Sequence, residues 1–494
     1  MSTLPTPLQQ AVAEWTQLLG AERCIAGTDA RAQAYGYDIG EYAKRVIPAI
    51  VYPASPVDVQ AIVRVANTHK IPLYSLSIGK NWGLGSRQPV EHHGVVVDLS
   101  RMQQIRTVNL DEGYVIVEPG VTQQALSDAL ASTAYIANFT ASTPETSLVG
   151  NVLDKGIGLY RHRVDDLLGV EVVLGDGTLI HVGGYWPMGW AMFYFPSGLG
   201  PTLTPLFLQS NFGIVTACVL KLVPRPETIH MLYATLASDR LAQALAVLKQ
   251  LRSEQALNTV IKLYNAHAFH AYSGQQAAPD DQTFHLLGAL YGSESWVRHV
   301  SPFVTNALQQ AHCFDNVALL DQDGLTRAPQ LVQALARIFA GTPTRFAVQQ
   351  ALVLRHAEEC QHVDRVSHKG LIFIIPVVPL TSEAIRRTLD ILTQCSTRYE
   401  VPINTTINIL SDSAVEMVSS VIFNRVPENI RHVHLLKRSI VEELQNHSIP
   451  LMRLDIDSHS NTQVFPQTNY KDVLVKLKKL FDPNTILAPG RYIP

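Results

Sequence analysis

Residues 77–86 read Ser-Ile-Gly-Lys-Asn-Trp-Gly-Leu-Gly-Ser and are entered from the apolar run Ile71-Pro72-Leu73-Tyr74-Ser75-Leu76. Gly79, Gly83 and Gly85 carry no Cβ, so the backbone can pass through positive φ and turn several N–H groups to one side. A concavity of that kind suits a phosphate or pyrophosphate. The loop is not a Gly-x-x-x-x-Gly-Lys-Ser/Thr loop, and its spacing is not that of a dinucleotide turn opening a helix. Gly94-Val95-Val96-Val97-Asp98-Leu99 reads as a further strand, so the loop joins strand to strand. Taken alone, a glycine-rich hairpin without a ligand accounts for the same residues.

A chain of 494 residues is longer than a single hydrophobic core usually serves, so two domains are expected. With 47% hydrophobic and 16% charged residues, the composition excludes a disordered chain. A formal net charge of −3, with no Lys/Arg cluster interleaved with aromatics, argues against nucleic acid as a partner and leaves a small ligand. The first residues show no basic stretch followed by an apolar run, so no secretory signal is expected. The apolar run Leu371–Leu380 is half of the roughly 20 residues that a membrane helix needs and reads as a buried strand. Cys24, Cys218, Cys313, Cys360 and Cys395 lack Cys-x-x-Cys spacing, which favours reduced thiols in a cytoplasm.

Ser55-Pro56-Val57-Asp58 has the form of a helix start, with a capping Ser, a Pro in the first turn and an acid beyond. Val59, Ile62, Val63 and Ala66 then share one face of a helix that ends before Ile71. Short strands and glycine turns follow to about residue 223. Pro224-Arg225-Pro226 predicts a connector. Beyond it, the stripe Leu241, Leu245, Leu248 and Leu251 and the stripe Ile385, Leu389 and Leu392 predict helices, while Met231–Leu236 and Gly370–Pro376 predict strands. The fold class is α+β, with a second domain built as an antiparallel sheet backed by helices.

The glycine loop has company in a fixed order: Glu118-Pro119-Gly120-Val121, Thr146-Ser147-Leu148-Val149-Gly150-Asn151, Gly156-Ile157-Gly158, Gly169 to Thr178, Asn211-Phe212-Gly213-Ile214-Val215, and Pro489-Gly490-Arg491 near the end. In this order and spacing the chain resembles the FAD-linked flavoproteins of the vanillyl-alcohol oxidase and p-cresol methylhydroxylase family. The resemblance implies a two-part FAD-binding domain, residues 1–225 with residues 461–494 returning to it, and an α+β cap over residues 226–460. It assigns the cofactor to Ser77, Ile78, Gly79, Lys80, Asn81, Gly83, Leu84, Gly85, Pro119, Gly120, Ser147, Leu148, Gly150, Asn151, Gly156, Gly158, Asn211, Ile214 and Val215. Arg491 is expected near the flavin ring, where a cation stabilises charge that develops on reduction.

Many relatives bind FAD covalently through a His or Tyr. The corresponding places here hold Glu416 or Met417 in the cap and Lys80 or Asn81 in the loop, so the resemblance implies dissociable FAD. Phenol-oxidising members hold a phenolate with one Arg and two Tyr. The arginine has its counterpart in Arg453, but the tyrosine positions carry Leu84 and Met452, which weakens the case for a para-phenol because a buried anion needs hydrogen bonds as well as a cation. An ion pair of Arg453 with Asp455 or Asp457 is the bland alternative. The Asp that relatives place near the reacting atom is absent, and Glu145 is the candidate substitute, with an inert turn glutamate as the alternative. His92, His93 and His162 have no assigned role. His356, Cys360, His362 and His368 lack the paired spacing of a metal site, and no metal is expected.

The implied activity is removal of a hydride from a small organic substrate to flavin N5, with an aromatic alcohol or alkylphenol-like compound first and a 2-hydroxy acid second. The acceptor is oxygen or an electron carrier. A flavoprotein that has lost its catalytic residues is the rival reading. The resemblance also implies a homodimer.

Overall fold

The computed structural model describes residues 6–184, 192–198, 200–278, 280–460 and 469–493. Strands β1 (Cys24–Ala26), β2 (Ala49–Val51), β3 (Leu73–Leu76) and β4 (Val95–Asp98) form one sheet in the order β1-β2-β4-β3. β4 runs parallel to both β2 and β3. An unbroken apolar strand such as Val95-Val96-Val97 suits a parallel sheet covered on both faces, and all three residues are fully buried. The helix Pro56–His69 covers one face with Val59, Ile62, Val63 and Ala66. Ser55 caps it by accepting the Asp58 N–H at 3.2 Å, and Lys70 ends it in the left-handed conformation. Because β3 and β4 are parallel neighbours, the glycine loop between them is a crossover and not a hairpin.

Strands β5 (Ile105–Asn109), β6 (Tyr114–Val117), β8 (Leu167–Val173), β9 (Leu179–Gly183) and β10 (Ile214–Lys221) form a second, antiparallel sheet in the order β5-β6-β10-β8-β9. The short β7 (Tyr135–Ile136) pairs with β11 (Val223–Pro224). The Pro-Arg-Pro segment is therefore anchored, because the Arg225 guanidinium also donates to the carbonyls of Leu130 and Thr133, both at 2.9 Å.

The third sheet is antiparallel throughout: β12 (Thr228–Ala237), β13 (Ile261–Asn265), β14 (Thr283–Gly292), β15 (Asn316–Leu320), β16 (Lys369–Ile374), β18 (Asn404–Ile409) and β19 (Ala414–Asn424), in the order β15-β12-β14-β13-β18-β19-β16. A short β17 (Val377–Pro379) adds to β19. Alternation along each strand splits the faces. Leu263, Ile372, Ile407 and Met417 point into a core under the helices Leu241–Ser253, Glu294–Gln310, Ser382–Tyr399 and Pro427–Asn446. Lys262, Tyr264, Thr406, Asn408, Glu416 and Val418 line a chamber on the other face.

The end of the chain returns to the first sheet. Leu487 bridges to Leu73 in parallel, with the Leu73 N–H donating to Ile486 O at 2.7 Å and the Ala488 N–H to Leu73 O at 2.6 Å. Lys478, on the helix Asn469–Phe481, is 1% exposed. Its ammonium donates to the carbonyls of Leu487 at 2.7 Å and Asn211 at 2.5 Å and pairs with Asp482 at 2.7 Å. Asp482, fully buried, accepts the N–H groups of Ile486 and Leu487. Asn211 donates to the carbonyls of Ala488 and Ile493, which makes it a clasp on the tail.

A second clasp joins the segment that carries Asp364 to the N-terminal part. The Ser86 hydroxyl lies 3.2 Å from Asp38 Oδ1 and 2.6 Å from Asp364 Oδ1, and Asp364 also accepts the Ile39 N–H. Burial pushes the pKa of Asp38 up to about 7 despite lowering bonds from the Gly40 and Tyr42 N–H groups, and Asp364 adds to the rise.

Lys478→Met leaves a buried carboxylate without its cation and two carbonyls without a donor, and is expected to cost about 3–5 kcal/mol in urea denaturation. A loss below about 1 kcal/mol contradicts the assigned role. For Asp38, the folded chain holds a proton that the unfolded chain, with its ordinary carboxylate of 3.8, has released. Its contribution is complete below the unfolded pKa and is lost as pH rises through about 7. Urea denaturation at about pH 5 and about pH 8 should therefore show a fall in stability that is smaller in Asp38→Asn.

Candidate active site

Three segments meet at the C-terminal end of β3. The first is the loop that follows it, with Gly79, Gly83 and Gly85 at φ of 69°, 75° and 116°. The second is the start of the helix Leu148–Leu153, where Ser147 accepts the Gly150 N–H at 3.0 Å and donates to Pro119 O at 2.6 Å. The third is the returning tail, which brings in Arg491. Together they line a cleft formed by Ser77, Ile78, Gly79, Lys80, Asn81, Pro119, Ser147, Gly150, Asn151, Val215, Arg453 and Arg491. A Cβ on Gly150 would lie 2.3 Å from Ser77 Oγ, so a side chain there cannot coexist with the present approach of helix and loop.

The remaining sequence-expected cofactor residues stand behind the cleft wall. Gly83 packs against Phe373, Gly85 against Ile456, and Gly120 against the carbonyls of Ser100 and Met102. Gly156 and Gly158 make room for the amides of Asn151 and Asn138. Leu148 and Ile214 are core residues, and Asn211 holds the tail. Tyr74, Ser75, Asp154, Gln209, Ser210 and Gly213 also line the cleft, and the resemblance assigned none of them to the cofactor. Asp154 sits just past the helix that carries the recognised motif, and only its pairing with Arg491 at 3.0 Å makes it part of the site. Arg491 also lies over the ring of Tyr74, 5.6 Å from its centroid.

Lys80 is the cation of the glycine loop, yet its amine donates to Gln361 O at 2.8 Å and lies 5.1 Å from the Trp82 ring centroid. Burial, with Arg87 nearby, lowers its pKa to about 8. Glu145 does not line the cleft or the chamber. Its carboxylate is bound by Arg345, through Nε at 2.7 Å and also through Nη2. The substitute base expected from the sequence is thus an ion-paired residue beside the site, because the cap supplies a cation that the local motif does not reveal.

The chamber adjoins the cleft, has a volume of about 280 Å³, and shares Lys80, Asn81, Thr146, Asn151 and Arg453 with it. Leu84, Trp82, Tyr264, Tyr272, Leu371 and Phe373 give it an apolar wall. Met452 lines a different groove. Arg453 Nε donates to Asp154 O at 2.6 Å. Its sequence neighbours do not neutralise it, since Asp455 pairs with Lys437 at 2.9 Å and Asp457 with Arg45 at 2.7 Å. Lys262 and Glu416 sit on the chamber's sheet face. Burial lowers Lys262 to about 8 and raises Glu416 to about 7, although Arg453 and Lys262 oppose the rise. The only sequence sign of these residues is a charge interrupting an apolar strand, Ile261-Lys262-Leu263 and Val415-Glu416-Met417.

His92, His93 and His162 line neither space. Among the described residues no group of three His, Cys, Asp or Glu side chains could hold a metal ion, and no helix is long and apolar enough to cross a membrane. The five cysteines are free and buried.

Residues 47–183 match the model of an FAD binding domain. The chain is similar, at 28% identity over 98% of its length and 97% of the relative's, to the 1'-carboxy-chondrochloren decarboxylase of Chondromyces crocatus. It is 24% identical to the flavoprotein subunit of the hydroxylating 4-cresol dehydrogenase of Pseudomonas putida, over 98% of this chain and 95% of that one. The crystal structure of p-cresol methylhydroxylase with substrate bound superposes over 100% of this chain and 98% of its own, with a TM-score of 0.89 at 22% identity. The chain has the fold of p-cresol methylhydroxylase, with an FAD binding domain matched within it. FAD fits the cleft by its chemistry: the residues of the glycine loop and the cations Lys80, Arg453 and Arg491 line it and suit a pyrophosphate, and an apolar chamber adjoins it.

Gly150→Val, which drives a side chain into Ser77, should weaken FAD binding at least about tenfold, or about 1.4 kcal/mol. Fluorescence titration of the stripped protein with FAD measures this, and an unchanged affinity contradicts the cleft assignment.

Proposed function

We propose that this FAD-dependent oxidoreductase oxidises a small organic substrate with an apolar, ring-sized body, held in the chamber with its polar end toward Arg453. The supporting observation is the wall common to cleft and chamber, where Arg453, Asn81 and Asn151 border both. Bound FAD supplies the two-electron acceptor for a hydride. Trp82, Tyr264, Tyr272 and Phe373 exclude water and favour an aromatic alcohol or alkylphenol-like substrate over a compact 2-hydroxy acid. Arg453, whose Nε is fixed by Asp154 O, presents the rest of its guanidinium to the chamber. It binds and orients the oxygen that gains negative charge.

In this reading residues 1–225 and 461–494 together hold FAD and residues 226–460 form the cap, supported by the pairing of Leu487 with Leu73. We further propose that FAD is dissociable, because Lys80, Asn81, Glu416 and Met417 are not nucleophiles suited to the flavin. Reoxidation by oxygen or by an electron carrier, a cytoplasmic location and a homodimer belong to the same proposal, and the free buried thiols suit a reducing compartment.

Anaerobic mixing with aromatic alcohols, alkylphenols and 2-hydroxy acids should bleach the flavin absorbance with the first two classes. Arg453→Met, compared at equal FAD content, should slow that bleaching about 30-fold or more, the equivalent of roughly 2–5 kcal/mol for an unpaired substrate charge. A flavin that no candidate reduces favours the catalytically diverged reading.

A further inference from the structure

The chamber's sheet face carries one polar rung. In the ladder, Lys262 on β13 stands opposite Asn408 on β18, and Asn408 stands opposite Glu416 on β19, so the three side chains lie side by side across three strands. The next rung on the same face is Tyr264, Thr406 and Val418. Lys262 is 8% exposed, and its ammonium donates to Asn408 Oδ1 at 2.7 Å. The Asn408 amide nitrogen is directed to the carbonyls of Thr406 and Glu416, which fixes its oxygen toward Lys262. Glu416 is 1% exposed, and its Oε2 has no hydrogen-bond partner. A buried carboxylate oxygen left without a donor is costly, and so are cations outnumbering anions in an apolar space.

The charge count of the chamber is uneven. Lys262 and Arg453 are the two cations that interact with Glu416, Lys80 adds a third at the border with the cleft, and Glu416 is the only acid among the described residues that line the chamber. Arg491 is paired with Asp154 on the cleft side, so neither contributes to the balance. Cations outnumber the acid, and a negatively charged ligand reduces the excess. A carboxylate brings that charge on two oxygens, one for Lys262 and one for Arg453.

We propose that Lys262, held by Asn408 and acting with Arg453, forms a carboxylate-binding subsite, so that the substrate is an acid with an apolar body. This deepens the oxidoreductase reading and rests on it. In the complex Lys262 and Arg453 donate to the substrate carboxylate. Glu416 opposes the carboxylate by its negative charge and selects, among acids, those with a hydroxyl elsewhere that donates to it.

The test is calorimetric titration of the FAD-loaded protein with a matched series: 3-phenylpropanoate, its primary amide, its alcohol, and 4-ethylphenol. The acid is expected to bind at least ten times more tightly than the amide or the alcohol. Lys262→Met should remove that preference by weakening the acid tenfold or more while the amide stays within twofold. Glu416→Gln, which removes the competing negative charge, should tighten the acid several-fold and keeps the test open if Lys262→Met fails to fold. Equal binding of acid and amide, a preference for 4-ethylphenol unaffected by Lys262→Met, or weaker acid binding in Glu416→Gln overturns the subsite. A flavin reduced by neutral alcohols with no preference for acids sinks the subsite alone, whereas a protein that takes up no FAD sinks the oxidoreductase reading beneath it.

Discussion

The buried pair of Lys478 and Asp482 is the interaction on which the site depends. One ammonium satisfies two main-chain carbonyls, Asn211 and Leu487, from segments far apart in the chain, and one carboxylate satisfies the N–H groups of Ile486 and Leu487. Burying two charges is expensive unless each finds a partner and its remaining hydrogen bonds. Here both conditions hold, and the consequence is positional. With Leu487 paired to Leu73, the next residues run along the edge of the first sheet, and Arg491 arrives over Tyr74 and against Asp154.

A second constraint comes from the cap sheet. Its period of two sends Leu263, Ile407 and Met417 into a helix-covered core and Lys262, Asn408 and Glu416 into the chamber. Because the strands are long and densely paired, a shift in register would exchange those sets and bury three polar groups in hydrocarbon. The same hydrophobic core that stabilises the cap therefore fixes where its few polar side chains stand. Arg453 is placed by a comparable device, with Lys437 and Asp455 paired at 2.9 Å just beyond it.

Local patterns were legible wherever the cause is local. The capped helix after Ser55, the strands on either side of the glycine loop and the stripes at Leu241–Leu251 and Ile385–Leu392 all follow from neighbouring residues. Legibility was lower at Pro224-Arg225-Pro226, because the carbonyls that Arg225 ties down come from about 90 residues earlier. The order of the glycine motifs carried the resemblance, and the structure adds what packs on two of them: Gly156 and Gly158 clear space for the amides of Asn151 and Asn138. Glu145 looked like a base from its place before Gly150-Asn151, yet its partner Arg345 lies 200 residues away.

By itself the sequence determined that this is an α+β chain with a glycine loop free to pass through positive φ, because φ preferences, caps and apolar spacing act over a few residues. Only the tertiary structure decided which charges remain for a ligand. Arg453 and Asp455 are two residues apart, but the fold gives Asp455 to Lys437 and leaves Arg453 facing the chamber. Lys262, Asn408 and Glu416 become one row only through strand register, since Coulomb interactions and hydrogen bonds depend on distance in space and not on distance along the chain.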